Sequence, residues 1–173
     1  MLLGKKGSGM IDSLSEIDRS LETLSLVLEG DPGKGKFMVR KRKEAMEALA
    51  KRVPPGQGLR VACFYLFKDD TVYAEGKNSV ANELIAKAGA HNVFSDISWR
   101  QISLEELLQR DPDVILTDPS QVPLLLGHSK LERVRAVKRN KVFGIKASQF
   151  VSSRVDKTFA HLLECLYPDV FKE

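Results

Sequence analysis

The first part of the chain has the hydrophobic periodicity of helices. Residues 13–16 form a Ser-x-x-Glu capping box, a typical helix start. Apolar residues then recur at three- and four-residue intervals, at Leu14, Ile17, Leu21, Leu24 and Leu28. A glycine- and proline-rich segment, residues 30–33, ends this helix, and a second helix is predicted over about residues 35–52.

From residue 58 onward, apolar runs alternate with helical patterns. The continuous apolar run of residues 59–67 predicts a strand that is buried on both faces, as in a parallel sheet. Shorter strands are predicted at residues 92–94, 113–117 and 141–145. The intervening helices begin at Ser79 and Ser103, and Ser152 or Ser153 is expected to cap the last one.

This alternation predicts an α/β fold with a doubly wound, mostly parallel sheet of about four strands, flanked by helices and preceded by a helical segment. We expect three parts: a flexible lead (residues 1–10), a helical segment (residues 11–57) and an α/β lobe (residues 58–173).

Composition narrows the class of protein without naming a function. The 173 residues are 43% hydrophobic and 29% charged, as in ordinary globular proteins. The net charge of +4 is spread along the chain, so no nucleic-acid partner is expected. Apolar runs are too short to cross a bilayer, and the N-terminal residues lack the apolar stretch of a signal peptide.

Two motifs have ordinary structural interpretations. Residues 30–37 match most of a phosphate-binding loop, but a helix precedes them and Phe37 replaces the hydroxyl residue, so we predict a helix–helix connection. The basic run of residues 40–43 lies within the second helix, followed by Glu44 and Glu47, and is predicted to form a solvated face.

Catalytic and metal-binding patterns find little support. The histidines, His91, His128 and His161, lack metal-ligand spacing, and Cys63 and Cys165 lie far apart in apolar stretches. We therefore expect no enzyme activity, no metal centre and no cofactor. Trp99 follows a predicted strand in a polar loop, where it could stack on a ligand or fold back onto the core.

Four segments together resemble a known family. Residues 71–94, 102–116, 131–143 and 167–171 are similar, in order, to the C-terminal lobe of iron-chelate and cobalamin-type periplasmic binding proteins, the solute receptors of ABC importers. The helix at residues 13–28 resembles the start of the long helix that links the two lobes of these receptors.

The resemblance implies binding of a metal chelate (a ferric siderophore, haem or a corrinoid) and delivery to an ABC permease subunit. Such receptors are extracytoplasmic and hold the ligand between two lobes. The N-terminal lobe has no counterpart in this sequence, so we expect either a piece of a longer receptor or a lone lobe.

The resemblance also implies functional residues. Tyr73, Trp99 and the loop containing Lys146, Gln149 and Phe150 match ligand-contact positions. Glu105 matches the carboxylate that docks on the permease, and Arg154 matches an arginine frequent at the start of the last helix.

Two other functional classes stay open from the residues alone. One is a cytoplasmic nucleotide-binding or regulatory α/β domain, which is disfavoured because Lys68-Asp69-Asp70, rather than a glycine-rich turn, follows the first strand. The other is a stand-alone interaction or dimerisation module. The apolar stripe of the first helix predicts that the chain associates with itself as a homodimer.

Overall fold

Two helices that pack against each other precede the sheet in a computed structural model, which describes residues 11–67 and 71–171. They are α1 (Leu14–Glu29) and α2 (Gly33–Ala50). Gly30 ends α1 with a φ of 72°, and its N–H donates to the Leu26 carbonyl. Residues 30–32 thus connect the two helices and residues 33–37 begin α2, so the predicted connection is shorter than expected. The predicted flexible lead (residues 1–10) lies outside the described residues.

The described part of the chain forms a mixed sheet of six strands. They are β1 (Arg60–Leu66), β2 (Val72–Ala74), β3 (His91–Asn92), β4 (Arg100–Ile102), β5 (Val114–Thr117) and β6 (Val142–Gly144). The strand order is β4-β2-β1-β5-β6, and β3 also pairs with β1.

Most of the sheet is parallel, and its antiparallel part is confined to one side. β1 pairs in parallel with β3 and β5, and β5 pairs in parallel with β6. β2 is antiparallel to both β1 and β4. The predicted α/β class is confirmed, with β2 and β4 added to the four expected strands.

The remaining helices cover both faces of the sheet. They are α3 (Val80–Lys87), α4 (Leu104–Arg110), α5 (Val122–Leu126), α6 (Arg135–Lys138), α7 (Ala147–Phe150), α8 (Val155–Leu166) and α9 (Pro168–Phe171), with 3-10 turns at Pro119–Gln121 and Ser129–Leu131.

Alternation along β1 divides the buried side chains into two cores. Val61 and Cys63 point to the core that includes α1, α2, α3 and α8, whereas Ala62 and Phe64 point to the core that includes α4, α5 and α6. Because Ile17 of α1 and Met46 of α2 belong to the first core, the front helices pack on the same sheet as the lobe. The division at residue 57 stays a proposal.

The basic run of α2 departs from its prediction at one position. Arg40, Lys41 and Lys43 are exposed, as expected, but the side chain of Arg42 is only 5% exposed and contacts the Asp18 carboxylate of α1. Helical periodicity explains this, since Arg42 lies on the same inward stripe as Val39 and Met46.

The predicted serine caps are present at α1, α3 and α4 but not at α8. The hydroxyls of Ser13, Ser79 and Ser103 accept N–H groups of the first turns of α1, α3 and α4. Neither Ser152 nor Ser153 caps α8, because the preceding turn continues to Arg154, whose N–H donates to the Ser152 hydroxyl.

Candidate functional site

Strand register brings aromatic side chains together at the carboxyl end of β1. Tyr65 lies opposite Tyr73 in the antiparallel β1–β2 pair. Directly opposite residues project from the same face of a sheet, and residues two apart on one strand share a face. Tyr73 therefore stands beside Tyr65, on the opposite face from its buried neighbours Val72 and Ala74.

Trp99, which immediately precedes β4, completes an aromatic cluster made of Tyr65, Phe67, Tyr73 and Trp99. Its ring is stacked on Tyr73, with centroids 5.5 Å apart and planes inclined by 24°. Tyr65 is 6.0 Å from Trp99, and Phe67 meets Tyr73 edge-on at 5.4 Å. Trp99 remains 40% exposed, so it does not fold back into the core.

A cavity of about 610 Å³ opens beside this cluster, at the edge where β1 ends and α3 and α7 begin. In open α/β sheets this edge is where ligands bind. The lining is largely apolar and consists of Ile11, Asp12, Tyr65, Phe67, Glu75, Asn78, Ser79, Val80, Ala81, Trp99, Ala147, Ser148, Phe150 and Val151.

The residues expected at the ligand fall into two groups. Trp99 and Phe150 line the cavity, and Tyr73 supports Trp99 from behind. Lys146 and Gln149 lie outside the lining: the Gln149 side-chain oxygen accepts the Lys146 N–H at 2.9 Å, which fixes the start of α7. Ligand contact by any of these residues stays a prediction.

Glu105 and Arg154 lie away from the cavity lining. Glu105 is exposed at the second position of α4, after the Ser103 cap, where the helix dipole favours a carboxylate. Val72 of β2 pairs with Leu66 at the end of β1 and with Ile102 at the end of β4. The helix α4, which follows β4, therefore begins at the same edge of the sheet as the cavity. Arg154 is exposed before α8.

Sequence reasoning missed several lining residues, above all Tyr65, Phe67, Asp12 and Glu75. The two aromatics lie at the end of the apolar run that predicted β1, where they were interpreted only as core. A signal was available, because aromatic rings that replace aliphatic residues at the carboxyl end of a strand stand at the ligand edge. Asp12 and Glu75 had no local signal.

Gly76 holds the loop that carries Trp99 close to the loop after β2. A Cβ atom at Gly76 would lie 1.9 Å from the Ile97 carbonyl oxygen and 2.8 Å from the Phe94 carbonyl oxygen. The next residue, Lys77, donates its N–H to the same Ile97 oxygen at 2.6 Å. Only glycine therefore permits this approach of two backbones.

Buried polar groups fix the same two loops from below. The Asn92 amide donates to the Glu75 carbonyl at 2.8 Å and accepts the Phe94 N–H at 3.0 Å. Arg110 of α4 donates to the Val93 carbonyl and the Asp96 carboxylate, and its guanidinium lies over the Phe94 ring. The Trp99 loop is thus anchored on both sides.

The polar groups in the lining are acidic or neutral. Burial raises the pKa of the Glu75 carboxyl above its ordinary value; the Ser79 side chain opposes this rise, and the Asp12 carboxylate adds to it. Burial also raises the pKa of the Tyr65 phenol well above its ordinary value, with Cys63 and Glu75 contributing.

Residues 11–67 and 71–171 contain no group of three or more His, Cys, Asp and Glu side chains placed to hold a metal ion. In the same ranges, no helix has the length and apolar character needed to cross a bilayer. Aromatic and largely apolar side chains characterise the candidate site.

An aromatic cavity at the carboxyl edge of an α/β sheet is typical of proteins that bind small molecules. The family model for periplasmic binding proteins matches residues 29–149. This chain therefore belongs to the periplasmic binding protein family, a family of solute-binding proteins rather than enzymes.

Curated relatives match part of the chain. A cobalamin-binding protein of Halobacterium salinarum is 31% identical over 102 residues, which cover 57% of this chain and 27% of that protein. A vitamin B12-binding protein of Salmonella typhimurium is 33% identical over 55 residues, which cover 31% of this chain and 21% of that protein. The matches thus span about a quarter of the length of these relatives.

Solved structures share the fold over most of this chain. The periplasmic haem-binding protein of Roseiflexus sp. RS-1 has a TM-score of 0.79 at 21% identity, covering 92% of this chain and 65% of that one. The periplasmic vitamin B12-binding protein of Vibrio cholerae has a TM-score of 0.73 at 20% identity, covering 95% and 65%. At these identities the likeness establishes the fold.

Proposed function

We propose that this chain is the C-terminal lobe of an extracytoplasmic receptor that binds a metal chelate and delivers it to an ABC importer. The observation that carries this proposal is the cavity walled by the aromatic cluster, at the ligand edge of a fold from the periplasmic binding protein family. The lobe binds and releases its solute without catalysing a reaction.

The shape of the cluster suits a large ligand with a flat face. Trp99 presents its ring to the cavity with Tyr73 stacked on it, and Trp99 keeps 40% of its surface open to solvent. Aromatic faces of this kind stack on planar or apolar groups. The names of relatives that bind cobalamin and haem support ligands of this size for the present chain.

Trp99 provides a direct test, because it is the only tryptophan in the chain. We expect cyanocobalamin, haemin or a ferric trihydroxamate to quench its fluorescence saturably. Because Tyr73 holds the Trp99 ring in place, Tyr73→Ala releases that ring. Ordering the ring again on binding should weaken affinity for the active chelate by up to the energy of the stacked pair, about 0.5–1.5 kcal/mol or roughly 2- to 13-fold.

Phe37→Ala is the matched control, since Phe37 is also a partly exposed aromatic but lies on α2, outside the cavity lining. Its affinity should equal that of the unmodified chain. Absence of saturable quenching by all three chelate classes would contradict the proposed function.

Glu105 is proposed as the contact with the permease. Its carboxylate is exposed beyond the Ser103 cap at the edge of the sheet that also carries the cavity, so a receptor docked through this edge would release solute towards the membrane. This geometry separates the docking residue from the ligand-binding residues.

Self-association is a second candidate property, favoured by an exposed apolar patch on the front helices. The predicted stripe of α1 divides: Ile17 and Leu21 are buried against the lobe, whereas Leu24 and Leu28 are exposed. Met38 of α2 lies beside Leu24 and Leu28, with which it lines one cavity, and Leu26, Val27 and Phe37 are also exposed on the two helices. Exposed apolar surface of this kind is usually covered by another protein surface.

We expect the chain to form a dimer through this patch at micromolar concentration. Leu28, which is 73% exposed, would be buried in the dimer, so Leu28→Glu should shift sedimentation equilibrium to the mass of one chain. Leu124→Glu, at an exposed leucine on α5, is the matched control and should leave the dimer intact. A concentration-independent mass of one chain for the unmodified protein would disprove the dimer.

A further inference from the structure

The charged residues that line the cavity are all acidic. Among the described lining residues, Asp12 and Glu75 are the ionisable carboxylates, and none is lysine, arginine or histidine. Arg100, which follows the aromatic cluster in sequence, is held by the Glu106 carboxylate at 2.8 Å. The described lining therefore carries negative charge, while Lys146, the cation next to Ala147 in sequence, lies outside it and interacts with Asp118.

Glu75 is held in the lining by the fold. Its backbone N–H donates to the Cys63 carbonyl at 2.8 Å, and its own carbonyl accepts from the Asn92 amide. Burial penalises the ionised carboxylate, and Asp12 repels it. A group with positive charge or strong hydrogen-bond donors would relieve both penalties, whereas a second anion would increase them.

The Tyr65 hydroxyl independently indicates a ligand-contact position in the same cavity wall. The residue is only 8% exposed, and beyond an interaction with the weakly hydrogen-bonding Cys63 thiol its hydroxyl has no hydrogen-bond partner among the described residues. A phenol oxygen can accept hydrogen bonds as well as donate one. Buried polar groups are normally paired, so this hydroxyl marks a place where a ligand group can supply the missing contact.

We propose that this lobe selects its chelate by charge: the acidic side of the cavity takes neutral or cationic metal chelates and rejects chelates that present carboxylates or a net negative charge. This inference rests on the proposed function. It predicts a higher affinity for hydroxamate-type ferric chelates with free ammonium groups, and for corrinoids without free carboxylates, than for haem with its two propionates.

The test uses three ferric chelates that differ only at one end. A linear trihydroxamate neutralises Fe³⁺, so a free terminal ammonium gives a net charge of +1, acetylation of that amine gives 0, and succinylation gives −1. Titration of Trp99 fluorescence in the whole chain at low salt should give affinities that fall in that order, with about a tenfold difference between the extremes.

Two conservative variants test whether the cavity carboxylates cause the difference in affinity between the chelates. Glu75→Gln and Asp12→Asn should each reduce the ratio of affinities between the ammonium and succinyl chelates by roughly threefold. Glu132→Gln removes an exposed carboxylate outside the lining and should leave the ratio unchanged. Circular dichroism of each variant verifies the fold.

The outcomes separate the two proposals. Equal affinities, tighter binding of the succinyl chelate, or a ratio unaffected by both cavity variants would overturn charge selection while leaving solute binding in place. Failure of all three chelates, of cyanocobalamin and of haemin to quench Trp99 would overturn the proposed function, and charge selection with it.

Discussion

Replacing Arg42 by alanine is expected to lower the free energy of unfolding by about 3–5 kcal/mol, because it leaves a buried carboxylate without its main partner. The side chains of Arg42 and Asp18 are 5% and 12% exposed. Burial lowers the pKa of the Arg42 guanidinium, while Asp156 of α8 opposes that change. Arg42 thus joins α1, α2 and α8 electrostatically.

Urea denaturation followed by circular dichroism measures this effect. The control is Arg40→Ala on the same helix, since Arg40 is 66% exposed and its pair with Glu44 is 3.9 Å long, which predicts a loss below about 1 kcal/mol. Lys43 also reaches Asp18, at 2.9 Å, but from a side chain that is 61% exposed, so it compensates little. Equal stabilities of the two variants would show that the buried pair does not hold the front helices.

Helix positions were predictable wherever local signals agreed. In α1 and α4, a serine cap and an apolar stripe point to the same boundaries, and the hydroxyls of Ser13 and Ser103 make the expected bonds. The buried strands β1 and β5 were predictable from continuous apolar runs, because both of their faces are covered. The edge strand β6 was predictable from a short apolar run although it is only partly buried.

The short antiparallel strands were not predictable from the sequence. β2 and β4 have three residues each, which is too few for a period of two to be visible. Their place in the sheet depends on pairing with β1 and with each other, which is a long-range property. The aromatic cluster depends on this register, so the family resemblance could indicate Tyr73 and Trp99 but not their stacking.

Arg42 and Glu75 show that the burial of a charged side chain is also not predictable from the local sequence. A run of four basic residues is usually solvated, yet a rotation of about 100° per residue directs one of the four inward. Glu75 follows a three-residue strand, and its exposure is set by the contact of two loops. In both cases the tertiary packing, rather than the local sequence, determines whether the charge meets water.

Replacing Gly76 by alanine is expected to distort the proposed ligand site while lowering the free energy of unfolding by about 1–3 kcal/mol. The new Cβ would lie 1.9 Å from the Ile97 carbonyl oxygen, so one of two backbone segments must move. Ile97 is two residues before Trp99, and the Lys77 N–H bond to Ile97 would be lost with the movement. The Trp99 ring would then leave Tyr73.

Tryptophan fluorescence and chelate affinity report the two consequences together. Emission of the Gly76→Ala variant should shift to the longer wavelength of a solvated indole, and affinity for the chelate should fall roughly tenfold or more. Gly127→Ala is the control, because a Cβ there would meet only the Pro123 carbonyl oxygen, at 3.4 Å, and its φ of −91° suits any residue. Unchanged emission and affinity in Gly76→Ala would mean that the approach of the two loops does not position Trp99, whereas altered emission with full affinity would remove Trp99 from the ligand site.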